Sequence, residues 1–210
     1  GYQRTQMADV AAALGVAKGT LYLYVESKDA LFDLAVRSAD GAQSFATPLA
    51  LPVPTPPPGA TLAYVRERLA QGQQLPALTA ALSRQRVITV RTELEKIVGE
   101  LYDTLARNRQ GIKLLDRSAR DYPELAALWF DGARGGVVAL LSQYLEKRIH
   151  RQLLRALPDI VATARLMLEI IVWWAVHRHW DSHSPKVDEA TARATVLDFI
   201  RNALTKETPS

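Results

Sequence analysis

Cysteine is absent from the 210 residues. That excludes a disulfide framework, a zinc–thiolate centre and a thiol nucleophile, and it fits a reducing, cytoplasmic setting. Long hydrophobic runs are missing as well. The longest purely apolar stretch, Ile170 to Val176, is far short of the roughly 18 residues that a spanning helix needs. No basic and apolar leader opens the chain, so no membrane partner is expected. Strand-like alternation, internal repeats, a dinucleotide fingerprint and a Gly-Lys-Ser/Thr loop are all lacking. No activated serine, catalytic carboxylate pair or cofactor motif stands out. The expectation is a protein that is not an enzyme, with no catalytic residue, no resident cofactor and no metal.

What is present is hydrophobic content of 48%, enough for a real core, and a net charge of +4. A basic balance permits an anionic partner without demanding one. Its distribution matters more. Residues 1–40 hold Arg4, Lys18, Lys28 and Arg37 against Asp9, Glu26, Asp29, Asp33 and Asp40, four minus five or −1. Any argument for nucleic acid at this end must rest on local geometry rather than on bulk charge.

Apolar spacing reads as helix almost throughout. Residues 5–14 form a short one, with Thr5 as cap and Met7, Val10, Ala11 and Leu14 on one face. Gly15 ends it in the left-handed conformation that glycine accepts, and Val16 plugs the turn. A second short helix spans Ala17 to Leu23. Ser27 caps a third, with Leu31, Leu34 and Ala35 inward. The stretch 48–59 holds six prolines in twelve residues, which no helix survives. It is expected to be an extended, stiff connector between a small domain, 1–47, and a larger helical one, 60–210. Downstream, helices are expected over 61–71, 77–86, 87–108, 112–120, 124–157 with a possible kink, 158–180 and 187–204. Glu93, Glu95 and Glu100 read as an exposed charged face.

Two short helices about a glycine turn make the helix-turn-helix plan, whose second helix enters the major groove. The spacing alone is weak evidence, since many helical hairpins share it. The residues add more. Met7-Ala8-Asp9-Val10-Ala11-Ala12-Ala13-Leu14-Gly15-Val16-Ala17-Lys18-Gly19-Thr20-Leu21-Tyr22-Leu23-Tyr24-Val25-Glu26-Ser27-Lys28-Asp29-Ala30-Leu31 closely resembles the signature of the TetR family of bacterial transcriptional regulators. That signature has an apolar-Ala pair, then Gly-Val-Ser, Gly-Thr-Leu-Tyr, an aromatic pair and Ser-Lys-x-x-Leu. Ala17 stands where the family often has serine, and Val25 replaces the second aromatic. Gly1-Tyr2 aligns with the turn after the family's first helix, so the resemblance implies a head that lacks that helix.

The resemblance implies an all-α fold: a helix-turn-helix head, then a larger C-terminal helical domain for ligand binding and dimerisation. It implies contacts to double-stranded operator DNA from Thr5, Ala17, Lys18, Gly19, Thr20, Tyr22, Tyr24 and Lys28. Lys18 would reach a guanine edge or a phosphate, Gly19 would allow close backbone approach, and Thr20 would meet a phosphate or a thymine methyl. The tyrosines would offer hydroxyls to the backbone, and Lys28 would clamp a phosphate at a helix start. Val16, Leu21 and Leu31 would be core.

For a small, largely apolar effector the candidates are Tyr64, Val98, Tyr102, Trp129, Gly132, Trp173 and His177, in a pocket among C-terminal helices; plain core packing competes at every one of them. His177, His179, Asp181 and His183 have a metal-like composition, but the i,i+4 pairs point in different directions, and histidines near a helix C-terminus explain them more cheaply. The expected function is a ligand-responsive repressor that binds a near-palindromic operator as a homodimer, through the late helices 123–151 and 158–180. The alternative is a helical small-molecule sensor or carrier without DNA binding.

Overall fold

The computed structural model describes residues 1–39, 49–72, 74–87 and 89–206. The expected end of the head (40–47) and Pro48, the first residue of the expected connector, lie outside the described residues. Among those described, the secondary structure is helical, with one isolated bridge between Val25 and Val53. The helices are α1 Met7–Leu14, α2 Lys18–Leu21, α3 Lys28–Ala39, α4 Ala60–Gly72, α5 Pro76–Ser83, α6 Val90–Arg107, α7 Arg109–Ser118, α8 Pro123–Ala126, α9 Gly135–His150, α10 Ile160–Ala175 and α11 Glu189–Leu204. A π segment, Ala127–Arg134, joins α8 to α9, and a 3₁₀ turn, His177–Trp180, follows α10. The chain divides into two compact units, Gly1–Gln71 with Gln110–Asp131, and Gly72–Arg109 with Gly132–Ser210.

The first unit is built on a small core of Met7, Ala11, Leu21, Val25 and Ala30, flanked by Val10, Leu31, Leu34 and Val53. α1 opens one residue later than the spacing suggests. Gln6 is the N-cap, its N–H donating to the Asp9 carboxylate at 2.8 Å. Thr5 is not the cap; its hydroxyl donates to the Gly1 carbonyl at 2.8 Å instead. Two turns of helix carry few inward positions, so Leu14 is 64% exposed and Val16 is 38% exposed rather than core. α2 is a single turn, shorter than the expected 17–23. Ser27 does cap α3, accepting from the Ala30 N–H at 3.1 Å.

Gly15 closes α1 at φ +69°, and a Cβ there would meet nothing within 4 Å. The cost of a side chain is therefore backbone strain alone, about 1–2 kcal/mol. Gly15→Ala is expected to lower the melting temperature of the head while Gly15→Asn lowers it less, since asparagine tolerates this region. Equal losses in thermal melts of the two variants would contradict the assignment.

Within its described residues, 49–59, the proline-rich stretch holds no helix, bends at Leu51–Pro52 and is not detached. Val53 donates to the Tyr24 carbonyl at 2.7 Å and accepts from the Glu26 N–H at 3.0 Å. Thr55 N–H donates to the Glu26 carboxylate at 2.8 Å. The segment is a strap along the head. α4 and residues 110–131 also cluster with the head, so the compact units divide the chain elsewhere than at 48–59.

In the second unit α10 packs against α9, α6 and α11, and α5 against α6 and α9. Leu94, Ile97, Val98 and Leu101 of α6, Leu141 and Leu145 of α9, and Ala164, Leu168 and Ile171 of α10 are all buried. Three carboxylates of α6 are not the solvated face that their spacing suggests. Glu93 is 5% exposed and takes two hydrogen bonds from the fully buried Arg148, at 2.6 and 2.9 Å. Glu100 accepts from the Ala77 N–H at 2.9 Å, a carboxylate at the positive end of α5. Glu95 pairs with Arg201 at 2.7 Å.

The stretch Pro123–His150 runs 28 residues as one helix, long and apolar enough by composition to cross a membrane. A rule counting uninterrupted apolar residues misses it, because Arg134, Lys147 and Arg148 are distributed along it. Its Leu125, Leu141, Tyr144, Leu145 and Arg148 are buried, while 28% of its most apolar window is. It stops at His150 rather than 157, with Gln152 at φ +58°. The next helix is capped by Asp159, whose carboxylate accepts from the Ala162 N–H at 2.6 Å.

Candidate nucleic-acid interface and effector site

α1, the Gly15 turn and α2 bring the sequence-predicted DNA residues onto the head. Lys18 and Gly19 are exposed at the start of α2, next to the exposed Ala17, and Thr20 is half-buried behind them. Tyr22 and Tyr24 are 42% and 53% exposed, whereas Leu21 and Val25 are buried at 6% and 2%. This pattern turns the aromatic rings outward while the aliphatic side chains hold the core. Val53 holds the Tyr24 carbonyl and the Glu26 N–H on either side of Val25, whose own N–H donates to the Leu21 carbonyl at 3.0 Å.

Lys28 is half-buried at the start of α3. Its ammonium donates to the Gln3 carbonyl at 3.1 Å and lies 4.6 Å from the centre of the Tyr2 ring. The Tyr2 hydroxyl donates to the neighbouring Asp29 carboxylate. Burial, and then that bond to Asp29, push the phenol well above its ordinary range. Thr5, by contrast, spends its hydroxyl on the turn before α1. Tyr2 carries no signal in the helical spacing, yet it organises the ground under Lys28. An aromatic in the turn before α1 was the one clue the sequence offered.

The expected effector residues fall in several places. Tyr64 and Trp129 belong to the first unit. The Arg37 guanidinium lies 4.2 Å from the Tyr64 ring centre, and the buried Trp129 indole donates to Asp116 at 2.5 Å. Gly132 is exposed in the π segment. Val98 and Tyr102 are packed core, each 1% exposed. Trp173 and His177 are brought together, lining an open depression of about 370 Å³ with Glu169, Ile170 and Trp174. The Trp173 and Trp174 rings meet edge to face, 5.1 Å apart.

The Tyr102 hydroxyl belongs to a polar cluster that the sequence did not reveal. Its partner, the Glu189 carboxylate, accepts from it at 2.9 Å and lies 3.2 Å from Arg109, 2.9 Å from Arg178 and 3.4 Å from His179. Burial and the bond to Glu189 push the Tyr102 phenol up to about 12. Burial also pushes the Glu189 carboxyl up, but Tyr102 and the flanking cations outweigh it and hold the group below its ordinary value. His179 is held below its own by burial and then by Arg109 and Arg178. His183 is 95% exposed, 3.9 Å from Asp181. The histidines diverge, and among the described residues no group of three or more His, Cys, Asp or Glu is placed to hold a metal ion.

Comparison with known proteins places this geometry. Residues 1–35 match the family of bacterial regulatory proteins, tetR family. No curated protein matches the sequence. Among solved structures, a tetR-family regulatory protein from Rhodococcus RHA1 aligns at a TM-score of 0.55 and 19% identity, over 99% of this chain and 90% of its own. The fold is that of a TetR-family transcriptional regulator. The TetR-family regulator PfmR from Thermus thermophilus aligns at a TM-score of 0.51 and 18% identity, covering 96% of this chain and 90% of that one. The transcriptional regulator FadR from Bacillus subtilis, solved in complex with stearoyl-CoA, gives 0.51 and 16%, over 95% and 89%. In TetR terms, α1 and α2 are the helix-turn-helix, and α5, α6 and α9–α11 belong to the C-terminal helical domain.

Proposed function

We propose that the protein is a ligand-responsive repressor that binds a near-palindromic operator as a homodimer. The observation that carries the reading is the tetR-family head itself, matched over residues 1–35, with Lys18 and Gly19 exposed at the start of α2 and the Tyr22 and Tyr24 rings turned outward. Lys18, Gly19 and Thr20 meet base edges and phosphates. Ala17, Tyr22 and Tyr24 line the backbone, and Thr5 and Lys28 flank it. The proposed domains keep the head at 1–47, the proline-rich strap at 48–59 and the effector and dimer helices beyond.

The dimer forms through the late helices. Leu166, Ile170 and Trp173 stand at i, i+4 and i+7 on α10, and Val161, Leu166 and Phe199 are 60%, 58% and 58% exposed. A second copy on this stripe makes a twofold, self-complementary contact and roofs the depression beside Trp173 and His177. At about 370 Å³, that space suits a small, largely apolar effector. FadR's stearoyl-CoA carries an acyl chain of that character. Effector binding shifts the population toward a dimer whose two heads fit the operator poorly.

The test is selection from randomised duplex DNA with the full-length protein at 100 mM KCl. The expected product is an enriched inverted repeat with half-sites about one helical turn, or a multiple of it, apart. Enrichment no better than chance would sink the repressor and leave the carrier.

A further inference from the structure

Tyr2 is a shared plate inside the first unit. Its ring stacks on Tyr122, with centroids 5.6 Å apart and planes 29° from parallel, and meets Phe32 of α3 at 4.5 Å. The Lys28 ammonium lies over the same ring at 4.6 Å, and the hydroxyl is bonded to Asp29. Both opening residues of α3 are therefore held by one side chain. Two further ties run from the turn around Tyr2 to the segment before Tyr122. A Cβ on Gly1 would collide with the Arg117 carbonyl oxygen, so the backbones touch there, and Arg4 lies 3.5 Å from Asp121. Tyr122 itself is the N-cap of α8, followed by Pro123 at the first helical position. Proline fixes its own φ and restricts the residue before it, so the backbone of Tyr122 is set where α8 opens. That helix continues through the π segment into α9.

We propose that Tyr122 is the positioning residue of Lys28, acting through the Tyr2 ring. The inference rests on the DNA-binding reading of the head. An ammonium has three N–H bonds. The Gln3 carbonyl takes one, and the ring attracts the charge without consuming a donor. Stacked on Tyr122, Tyr2 holds the ammonium at the helix start, where a phosphate oxygen can accept from it. Without the Tyr122 ring, Tyr2 loses the plate it stacks on, and the lysine loses its fixed place.

The test uses the full-length protein and a fluorescein-labelled duplex carrying the repeat recovered by the selection. Dissociation constants are measured from 50 to 300 mM KCl for wild type, Tyr122→Ala, Tyr122→Phe, Lys28→Ala and the Tyr122→Ala/Lys28→Ala pair. Loss of a phosphate contact makes the plot of log K against log salt shallower by about 1. Tyr122→Ala is expected to weaken binding roughly tenfold, the size of one stacking plus one cation–π contact. It should also flatten the salt slope as Lys28→Ala does, although it removes no charge. The double variant should match Lys28→Ala alone, and Tyr122→Phe should restore both affinity and slope. If Tyr122→Ala does not fold by circular dichroism, Tyr122→Leu, which fills the space without a stacking ring, takes its place with the same expectation. An unchanged slope, or losses that multiply in the double variant, overturns the relay while leaving the DNA-binding reading intact. Wild-type protein that prefers no duplex over random DNA overturns both.

Discussion

Glu93→Ala is expected to destabilise the second unit by about 3–5 kcal/mol, the cost of leaving one member of a buried ion pair without its partner. Arg148 is 0% exposed, and its guanidinium is held by both oxygens of Glu93 and by the Ala81 carbonyl at 2.6 Å. Three helices therefore meet on one charge: α6 supplies the carboxylate, α9 the guanidinium and α5 the carbonyl. Tyr144, one turn before Arg148, is fully buried against the pair, and burial, then the Glu93 charge, push its phenol above the ordinary range. Arg84, 3.7 Å from Glu93 but half exposed, cannot replace a buried partner. In a unit of this size the loss corresponds to a fall of roughly 10–20 °C in melting temperature. Glu93→Leu combined with Arg148→Met should recover most of it, because the pair's own net worth is small beside the penalty of breaking it. Thermal unfolding followed by circular dichroism decides. A melting temperature for Glu93→Ala within about 2 °C of wild type would mean that the pair is not closed to solvent.

The second large effect concerns assembly. Leu166→Asp with Phe199→Asp should convert the proposed dimer to a monomer and reduce affinity for the selected duplex at least a hundredfold. Burying a leucine or phenylalanine contributes about 1.5–3 kcal/mol, and a twofold contact counts each substitution twice. A carboxylate carried to that contact meets the same carboxylate of the other copy or stays in water by separating the chains. Both positions are more than half exposed in the single chain, so the substitutions leave its interior alone. Light scattering behind size exclusion gives the mass, and titration of the selected duplex gives the affinity. An undiminished dimer mass would move the interface off α10 and α11.

Helices were legible where a strong apolar period runs long, as in α6 and α10, and where a glycine or proline punctuates it, as at Gly15 and Pro123. The head was legible for another reason: its residues form a recognisable pattern even though its charge is −1 over residues 1–40. What stayed hidden depends on partners distant in sequence. Glu93 reads as a solvated residue until Arg148 arrives 55 positions later. Thr5 looks like a cap, but Asp9 bonds the Gln6 N–H and moves the helix start by a residue. Leu14 and Val16 have the spacing of core residues, but α1 and α2 are too short to cover them. In the candidate effector set, aromatic character could not separate Tyr102, sealed in the core with its hydroxyl on Glu189, from Trp173, which lines open space. Proline content excluded helix over 48–59, while the bridge between Val53 and Val25 is invisible in composition.

The π segment at Ala127–Arg134 has a consequence for how this protein can change over generations. A π turn holds one residue more than the α turn it replaces. Loss of a single codon within it would let the backbone return to ordinary α geometry with its ladder of hydrogen bonds unbroken. The same loss would leave the residues beyond it on nearly the faces they hold now, because the wider turn already takes up the extra residue. One inherited deletion there would thus be absorbed locally, with the helix neither cut nor turned on its axis.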